Sequence, residues 1–213
     1  MPTPYPNLFT TLDLFGVAIF AIAGAIQAGR RDMDIFGMSV VAVVTAVGGG
    51  TLRDLLLGAT PVFWVREPLA IWVAMGGAIL TFVYARMSRL PPKSLRLADA
   101  LGLAVFTILG TQKALLWGAH PFVAVLMGVM SGVAGGIVRD LLCAEVPFIF
   151  RREIYATAAL LGAIVYVVGN AVAGPGWGVS ISLLTTLSLR LTAIYRDWSL
   201  PAPRNRDRGS YGP

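Results

Sequence analysis

Long apolar runs separated by short polar connections alternate along the whole chain. Seven of them approach the roughly 20 residues that an α-helix needs to cross a bilayer. They cover about residues 8–29, 35–57, 68–88, 97–117, 121–143, 153–173 and 177–196. The connections are rich in Pro, Gly and Arg, which are typical of turns and loops. The pattern predicts an all-α integral membrane protein with seven transmembrane helices.

The pattern also repeats at a constant offset of 86 residues. The segment GGGTLRD at 48–54 returns as AGGIVRD at 134–140. Other matched pairs are Asp13 and Asp99, Gly16 and Gly102, Phe20 and Phe106, Gly24 and Gly110, Pro61 and Pro147, and Gly76 and Gly162. Because each unit holds three spans, an odd number, the second copy enters the membrane from the opposite face. The predicted organisation is a repeat at 8–88, an inverted repeat at 95–173, a seventh helix at 177–196 and a disordered basic tail at 197–213.

The distribution of Arg and Lys over the connections predicts the orientation. One side collects Arg30, Arg31, Arg86, Arg89, Lys93, Arg96, Arg151, Arg152, Arg196, Arg204, Arg206 and Arg208. The opposite side has only Arg66. Since basic loops stay in the cytoplasm, we expect the N-terminus outside and the C-terminus inside.

Composition narrows the function classes. Hydrophobic residues make up 56% of the 213 residues and charged residues only 13%, about half the share in soluble domains. The net charge of +6 comes mostly from loops and tail, and without a basic-aromatic module it does not indicate nucleic-acid binding. The one cysteine, Cys143, excludes an intramolecular disulfide. No Cys/His cluster, nucleophile triad or phosphate loop is present, so we expect neither an enzyme nor a resident metal.

The two glycine motifs are the first candidates for chemistry. Glycines weaken a helix, and broken helices at matching positions of two repeats point to a transport site. We expect helix bends at Gly48, Gly49, Gly50, Gly135 and Gly136. The charged pairs that follow, Arg53-Asp54 and Arg139-Asp140, are costly in a membrane and mark a pathway. They are expected at its opposite mouths, although an arginine snorkelling at a helix end is the simpler alternative.

Three further groups of residues stand out. Thr51 has the form of a capping residue for a restarted half-helix. Gly16 and Gly24 share one face of the first predicted helix, and Gly102 and Gly110 share one face of the fourth. These small residues predict close helix packing. Lys113, on the same face, is the one uncompensated charge deep in an apolar run; it either faces the pore or snorkels to the surface.

Hydroxyl groups precede both glycine motifs by one helical turn. Thr45 and Ser131 are a matched pair in the two repeats. They either replace part of an ion's hydration shell or bond to their own helix backbone. His120, alone in a short loop, is given no role.

These residues resemble the bacterial branch of the TRIC family, the trimeric intracellular cation channels. The resemblance rests on the motif Gly-Gly-x-x-Arg-Asp at 49–54 and 135–140, the seven spans and the chain length. It implies a homotrimer with a pore in each subunit, lined by the second and fifth helices and passing monovalent cations, chiefly potassium. It also implies that Lys113 contributes to voltage dependence. Eukaryotic members bind a phosphoinositide through Lys-Glu-Val, but this chain has Leu52-Arg53-Asp54 there.

Two functions therefore remain open from the sequence. One is passive conduction of monovalent cations; the other is secondary transport of a small zwitterion such as glycine, an older label on similar bacterial proteins. Both fit a bacterial inner membrane and use inverted repeats. No cofactor is expected, bound lipid is left open, and the expected partners are further copies of the chain, membrane lipids and monovalent cations.

Overall fold

The computed structural model describes residues 6–151 and 154–199. Its seven long helices are α1 (Pro6–Gly29), α2 (Ile35–Leu56), α3 (Leu69–Met87), α4 (Ser94–Leu116), α5 (Pro121–Leu142), α6 (Ala156–Ala173) and α7 (Pro175–Arg196). All seven are long and apolar enough to span a membrane. The predicted fold class is confirmed, with helix ends within one turn of the expected ones. The predicted disordered tail lies, from residue 200 onward, outside the described residues.

Short local signals start and end the helices. Before α2, the Asp34 carboxylate accepts a hydrogen bond of 2.7 Å from the backbone N–H of Gly37, which satisfies a free donor of the first turn. Before α5, Nδ1 of His120 accepts from the N–H of Phe122 at 3.3 Å. His120, given no role from sequence, is therefore a helix cap. After α4 the chain turns at Gly118 with φ of 80°, a conformation that favours glycine.

Equivalent glycines pack the first two helices of each repeat together. A Cβ added to Gly24 would lie 2.8 Å from the Cα of Ala42. A Cβ added to Gly110 would lie 3.0 Å from the Cα of Gly128. Ala42 and Gly128 are themselves 86 residues apart. The same crossing, between α1 and α2 and between α4 and α5, therefore occurs in both repeats and needs a small residue in each.

The two repeats meet along reciprocal contacts between α1 and α4. The rings of Phe20 and Phe106 stack with centroids 5.1 Å apart and planes at 13°. A Cβ on Gly16 would lie 3.1 Å from the Phe106 ring, and one on Gly102 would fall on the Phe20 ring. Each contact turns into the other when every residue is replaced by its partner in the other repeat. Such exchange is the mark of a two-fold relation, here within one chain, as an inverted repeat requires.

The glycine motifs bring α2 and α5 into direct backbone contact. A Cβ on Gly49 would collide with the carbonyl oxygen of Ser131, and one on Gly135 with the carbonyl oxygen of Thr45. Along this contact the residue numbers rise in α2 while they fall in α5, so the two helices cross antiparallel. Arg53 and Arg139, which follow the glycines, therefore lie beyond the crossing on opposite sides.

No second half-helix starts at these glycines, and the bends expected there stay a prediction. Both α2 and α5 continue through their glycines without interruption. Thr51 does not cap a second half-helix, because its hydroxyl donates to the carbonyl of Val47 at 2.7 Å, within the same helix. Its oxygen also accepts from the indole N–H of Trp64 at 2.9 Å. The missing side chains permit the close crossing of two backbones, and the helical hydrogen bonds survive because each glycine still supplies its N–H and C=O.

Helix α4 occupies the middle of the bundle. Most of its apolar stretch is buried, whereas α3 and α6 expose most of theirs. It contacts α1, α5, α6 and α7. Its two ends carry Asp99 and Lys113, so the central helix brings a charge to each side of the crossing.

Candidate functional site

The first cluster of buried charges, the α2 cluster, consists of Arg53, Asp54 and Lys113. Oδ1 of Asp54 accepts from Nε of Arg53 at 2.8 Å and from Nζ of Lys113 at 2.7 Å. The other carboxylate oxygen accepts from the N–H of Phe63 at 3.0 Å. Asp54 is fully buried and Arg53 is 4% exposed. One carboxylate thus binds two cations and the first residue of a short helix, Phe63–Arg66, in the α2–α3 loop.

The expectation that Lys113 is uncompensated is therefore wrong. Its ammonium group pairs with Asp54 and lies 5.4 Å from the centre of the Trp117 ring. The partner carboxylate is 59 residues away in the chain, so inspection of one helical turn could not find it. Lys113 lies in the last turn of α4 and is 22% exposed, which leaves its ammonium group at the edge of a cavity.

This cavity has a volume of about 390 Å³ and lies between the start of α1, the α2–α3 loop and the end of α4. Its charged lining residues are Asp13, Arg53, Arg66, Glu67 and Lys113. The apolar remainder of the wall comes mainly from leucines and aromatic rings. The α2 cluster is thus accessible from one face of the bundle.

The second cluster, the α5 cluster, consists of Asp99, Arg139, Asp140 and Tyr155. Nε of Arg139 donates to Oδ1 of Asp140 at 2.8 Å, and Nη1 donates to Oδ1 of Asp99 at 2.6 Å. Oδ2 of Asp140 accepts from the N–H of Phe148 at 3.1 Å. Asp99 and Arg139 are fully buried. Burying paired charges away from solvent costs desolvation free energy. The fold offsets this cost by giving each charged side chain of the cluster a hydrogen-bond partner.

The two clusters share one design and differ in the third charge. Each has an Arg-Asp pair whose second carboxylate oxygen holds the loop after the helix, and each guanidinium lies over a loop phenylalanine, Phe63 or Phe148. At the α2 cluster the added charge is Lys113, a cation. At the α5 cluster it is Asp99, an anion. The matched positions in the other repeat, Gln27 and Asp13, do not pair in the same way, so the duplicated frame carries two electrically different ends.

Two buried residues at the α5 cluster, Tyr155 of the cluster and Arg190 beside it, were not identified from the sequence. Tyr155 donates from its hydroxyl to Oδ1 of Asp99 at 3.4 Å. Burial raises the pKa of Tyr155 well above its usual value, and the Asp99 carboxylate raises it further, so the hydroxyl keeps its proton. Arg190 of α7 lies over the Tyr155 ring at 4.8 Å. A charge inside the seventh apolar run could have signalled Arg190, whereas nothing in the repeat pattern singles out Tyr155.

The matched hydroxyls lie between the two clusters, at the helix crossing. The Thr45 hydroxyl donates to the carbonyl of Val41 at 2.6 Å, within its own helix. The Ser131 hydroxyl is fully buried and has no hydrogen-bond partner among the described residues. The two predicted equivalents therefore differ: the Thr45 hydroxyl has a hydrogen-bond partner, and the Ser131 hydroxyl has none among the described residues.

Basic loops gather at the face that lies farther from the α2 cluster. Nη2 of Arg30 donates to the carbonyl of Pro92 at 2.9 Å, and Arg31 pairs with Glu145 at 2.7 Å. These bonds join the α1–α2, α3–α4 and α5–α6 loops, which the sequence placed on one side. A second cavity of about 490 Å³ opens here, with Arg96 and Arg151 in its wall. Burial and the charge of Arg96 lower the pKa of Arg30, as expected where cations crowd.

Comparison with known proteins gives consistent matches over nearly the whole chain. The sequence profile of a family described as Glycine transporter matches residues 10–86 and 96–171. The inner membrane protein YadS of Escherichia coli strain K12, labelled UPF0126, is 47% identical over 199 residues, which are 90% of this chain and 93% of YadS. Both matched ranges of the profile begin at equivalent positions of the two repeats.

Solved structures agree with this chain in fold and sequence. The TRIC trimeric intracellular cation channel orthologue from Rhodobacter sphaeroides is 42% identical with a TM-score of 0.86, covering 90% of this chain and 99% of that one. A prokaryotic TRIC channel crystallised in 0.5 M KCl is 29% identical with a TM-score of 0.85, covering 91% and 98%. Both are channels rather than enzymes, in agreement with the prediction for this chain. By fold, repeat and sequence identity over about nine tenths of its length, the chain is a multi-pass membrane protein of the TRIC family.

Proposed function

We propose that this protein is a channel for monovalent cations, chiefly potassium, with one conduction path inside each subunit. The path runs from the cavity beside the α2 cluster, past the crossing of α2 and α5, to the α5 cluster and the basic loops. Its lining includes Arg53, Asp54, Lys113, Thr45, Ser131, Arg139 and Asp140, together with the glycines at 48–50 and 135–136. The solved relatives described as cation channels support this reading.

The observation that carries the proposal is the placement of buried charge at both ends of one helix crossing. Intramembrane charges are expensive and mark ion pathways. An arginine that merely anchors a helix end would reach to the surface, yet Arg53 is 4% exposed and Arg139 is fully buried. Both point inward from α2 and α5, whose backbones touch between them.

Unpartnered polar atoms at the α5 cluster and between the two clusters support the same path. Buried polar groups in proteins nearly always have partners. Among the described residues, buried atoms without one include Oδ2 of Asp99, Oγ1 of Thr107, Oγ of Ser131 and Nη2 of Arg139. Three of these four are oxygens, the ligands that an ion needs when it sheds water. At the glycines, the carbonyls of Thr45 and Ser131 add further oxygen atoms to this line.

Transport of glycine is the second candidate, favoured by the description of the matching family. The cavity beside the α2 cluster offers both charge signs, which a zwitterion needs, and the buried α5 cluster closes the opposite end. Alternating access would use the same two ends in turn. A channel differs because it needs a continuous wet path in its open state.

Planar-bilayer recording combined with glycine uptake separates the two functions. Purified protein in asymmetric KCl is expected to give discrete unitary currents that reverse near the potassium equilibrium potential. Proteoliposomes of the same preparation are expected to accumulate no radiolabelled glycine above empty liposomes. Saturable glycine uptake in the absence of unitary currents would instead favour the transporter.

We propose further that the protein forms a homotrimer in the bacterial inner membrane, with bound lipid around it. The trimeric relative of known structure supports the assembly, and the inner membrane protein YadS supports the location. The basic loops that meet at one face support a cytoplasmic position for that face.

The proposed orientation predicts the behaviour of reporter fusions. A fluorescent protein fused after residue 213 is expected to fluoresce, because it stays in the cytoplasm. Alkaline phosphatase at the same place is expected to be inactive, because it needs the oxidising exterior to form its disulfides. Active phosphatase there would reverse the orientation and place the α2 cluster on the cytoplasmic side.

A further inference from the structure

Tyr155 marks a further difference between the two ends of the duplicated frame. In the first repeat the matched position is Leu69. Leu69 is 52% exposed and belongs to the wall of the open cavity, whereas Tyr155 is 2% exposed and closes over the α5 cluster. The exchange of a leucine for a tyrosine thus accompanies the change from an accessible charge cluster to a sealed one.

The contacts of Tyr155 place it directly on the proposed path. Its hydroxyl donates to Asp99 at 3.4 Å, the same carboxylate oxygen that Arg139 holds. The hydroxyl also lies 2.8 Å from the point where a Cβ on Gly136 would be, so it fills the space that this glycine leaves. The ring packs edge-to-face against Phe148 with centroids 6.0 Å apart. An ion that approached Asp99 from the basic loops would meet these two rings.

Arg190 holds this tyrosine from outside the repeat. It belongs to α7, the helix without a counterpart in the duplication, and it is fully buried. Its guanidinium lies 4.8 Å from the centre of the Tyr155 ring, and Nη1 donates to the carbonyl of Ile154 at 2.8 Å. Arginine thus fixes both the ring and the peptide that precedes it, through a planar group suited to stacking.

We propose that Tyr155 is the residue that closes the path at the α5 cluster, and that Arg190 of α7 is its positioning residue. The inference rests on the proposed function for its physiological meaning, but the closure itself is a statement about access to the space between the clusters. Access requires the Tyr155 ring to leave Asp99 and Gly136. A displacement of α7 that carries Arg190 away from the ring would release it, which gives the seventh helix a role in the cycle.

Thiol accessibility tests the closure without relying on currents. Ser131→Cys places a reporter between the clusters, in a Cys143→Ala background that removes the native thiol. A membrane-impermeant cationic methanethiosulfonate is applied to vesicles that expose the basic loops. Tyr155→Leu copies the first repeat and should raise the labelling rate by about tenfold or more, since a hydrogen bond to a carboxylate and a cation–π contact are lost. Tyr155→Phe, which keeps the ring, should have a smaller effect.

Variants of the positioning residue, Arg190, and of a second buried tyrosine complete the test. Arg190→Leu should raise the labelling rate, and Arg190→Lys should raise it less. In the Tyr155→Leu background, Arg190→Leu should add no further increase, because Arg190 acts only through the Tyr155 ring. Tyr166→Leu removes an equally buried tyrosine of α6 and should leave labelling unchanged. Equal labelling in Tyr155→Leu, Tyr155→Phe and the parent overturns the proposal whatever the currents do. Increased labelling of the Tyr155→Leu variant, in a protein that gives no unitary currents, would support closure by Tyr155 and contradict the channel function.

Discussion

Gly49→Ala is expected to destabilise the protein and abolish its currents, whereas Gly48→Ala, one residue earlier, is expected to do neither. The added Cβ at 49 meets the carbonyl of Ser131, so the backbone of α5 must move. Overpacking of this kind costs about 1–3 kcal/mol. At 48 the nearest atom is the Cα of Gly135 at 3.9 Å, an ordinary contact, and alanine is the better helix former by up to about 1 kcal/mol.

The comparison is measured as the thermal midpoint of detergent-purified protein and as unitary current in planar bilayers. The two-fold relation supplies an internal repeat of the experiment, because Gly135→Ala meets the carbonyl of Thr45 in the same way. Gly76→Ala, with open space around its Cβ, controls for glycine replacement in general. Wild-type stability and conductance in Gly49→Ala would show that α2 and α5 do not need their close crossing.

Lys113→Gln is expected to raise the open probability and flatten its voltage dependence. The lysine neutralises Asp54 at the edge of the cavity, and its positive charge opposes the entry of cations. A hydrogen bond between charged groups is worth about 1.5–3 kcal/mol, so a Lys113–Asp54 bond made only in the closed state would, when lost, change the open-to-closed ratio by roughly tenfold or more. A charge that crosses the whole membrane couples about 2.3 kcal/mol per 100 mV; Lys113 crosses only a fraction, so the slope it contributes is shallow.

Glutamine is the residue at the matched position, Gln27, so the variant copies the other half of the molecule. Lys113→Arg keeps the charge and should retain the voltage dependence of the parent. Open probability is recorded against voltage for all three proteins, with selectivity among monovalent cations expected to change little. If Lys113→Gln and the parent coincide at every voltage, the Lys113–Asp54 pair has no part in gating.

The fold was largely predictable because its two strongest signals can be read directly from the sequence. Apolar runs define spans through length alone, and the constant offset of 86 residues exposes the duplication. Membrane helices leave few other choices for the backbone. Gly24 and Gly110 could be read as packing residues for the same reason, since small residues on one helix face permit close approach.

The site was less predictable because its decisive contacts join distant segments. Lys113 finds Asp54 across 59 residues, and Arg190 finds Ile154 across 36. At Gly49 and Gly135, weak helix propensity favoured a restarted half-helix, whereas both helices are continuous where they pack against a facing backbone. Propensity is a weak signal that tertiary contacts override.

The half-turn that relates the two repeats has a consequence for biogenesis. A duplicated fold of this kind places similar apolar helices in the bilayer whichever way up it enters, so the apolar spans of the two repeats give little indication of an insertion direction. The signal for the insertion direction therefore lies in the connecting loops, where the two repeats differ in sequence. Arg30-Arg31 of the first repeat matches Leu116-Trp117 of the second. In the proposed orientation, the basic turn stays in the cytoplasm and the apolar turn crosses the membrane. In this view, a few charged loop residues set the insertion direction that the duplicated spans leave open.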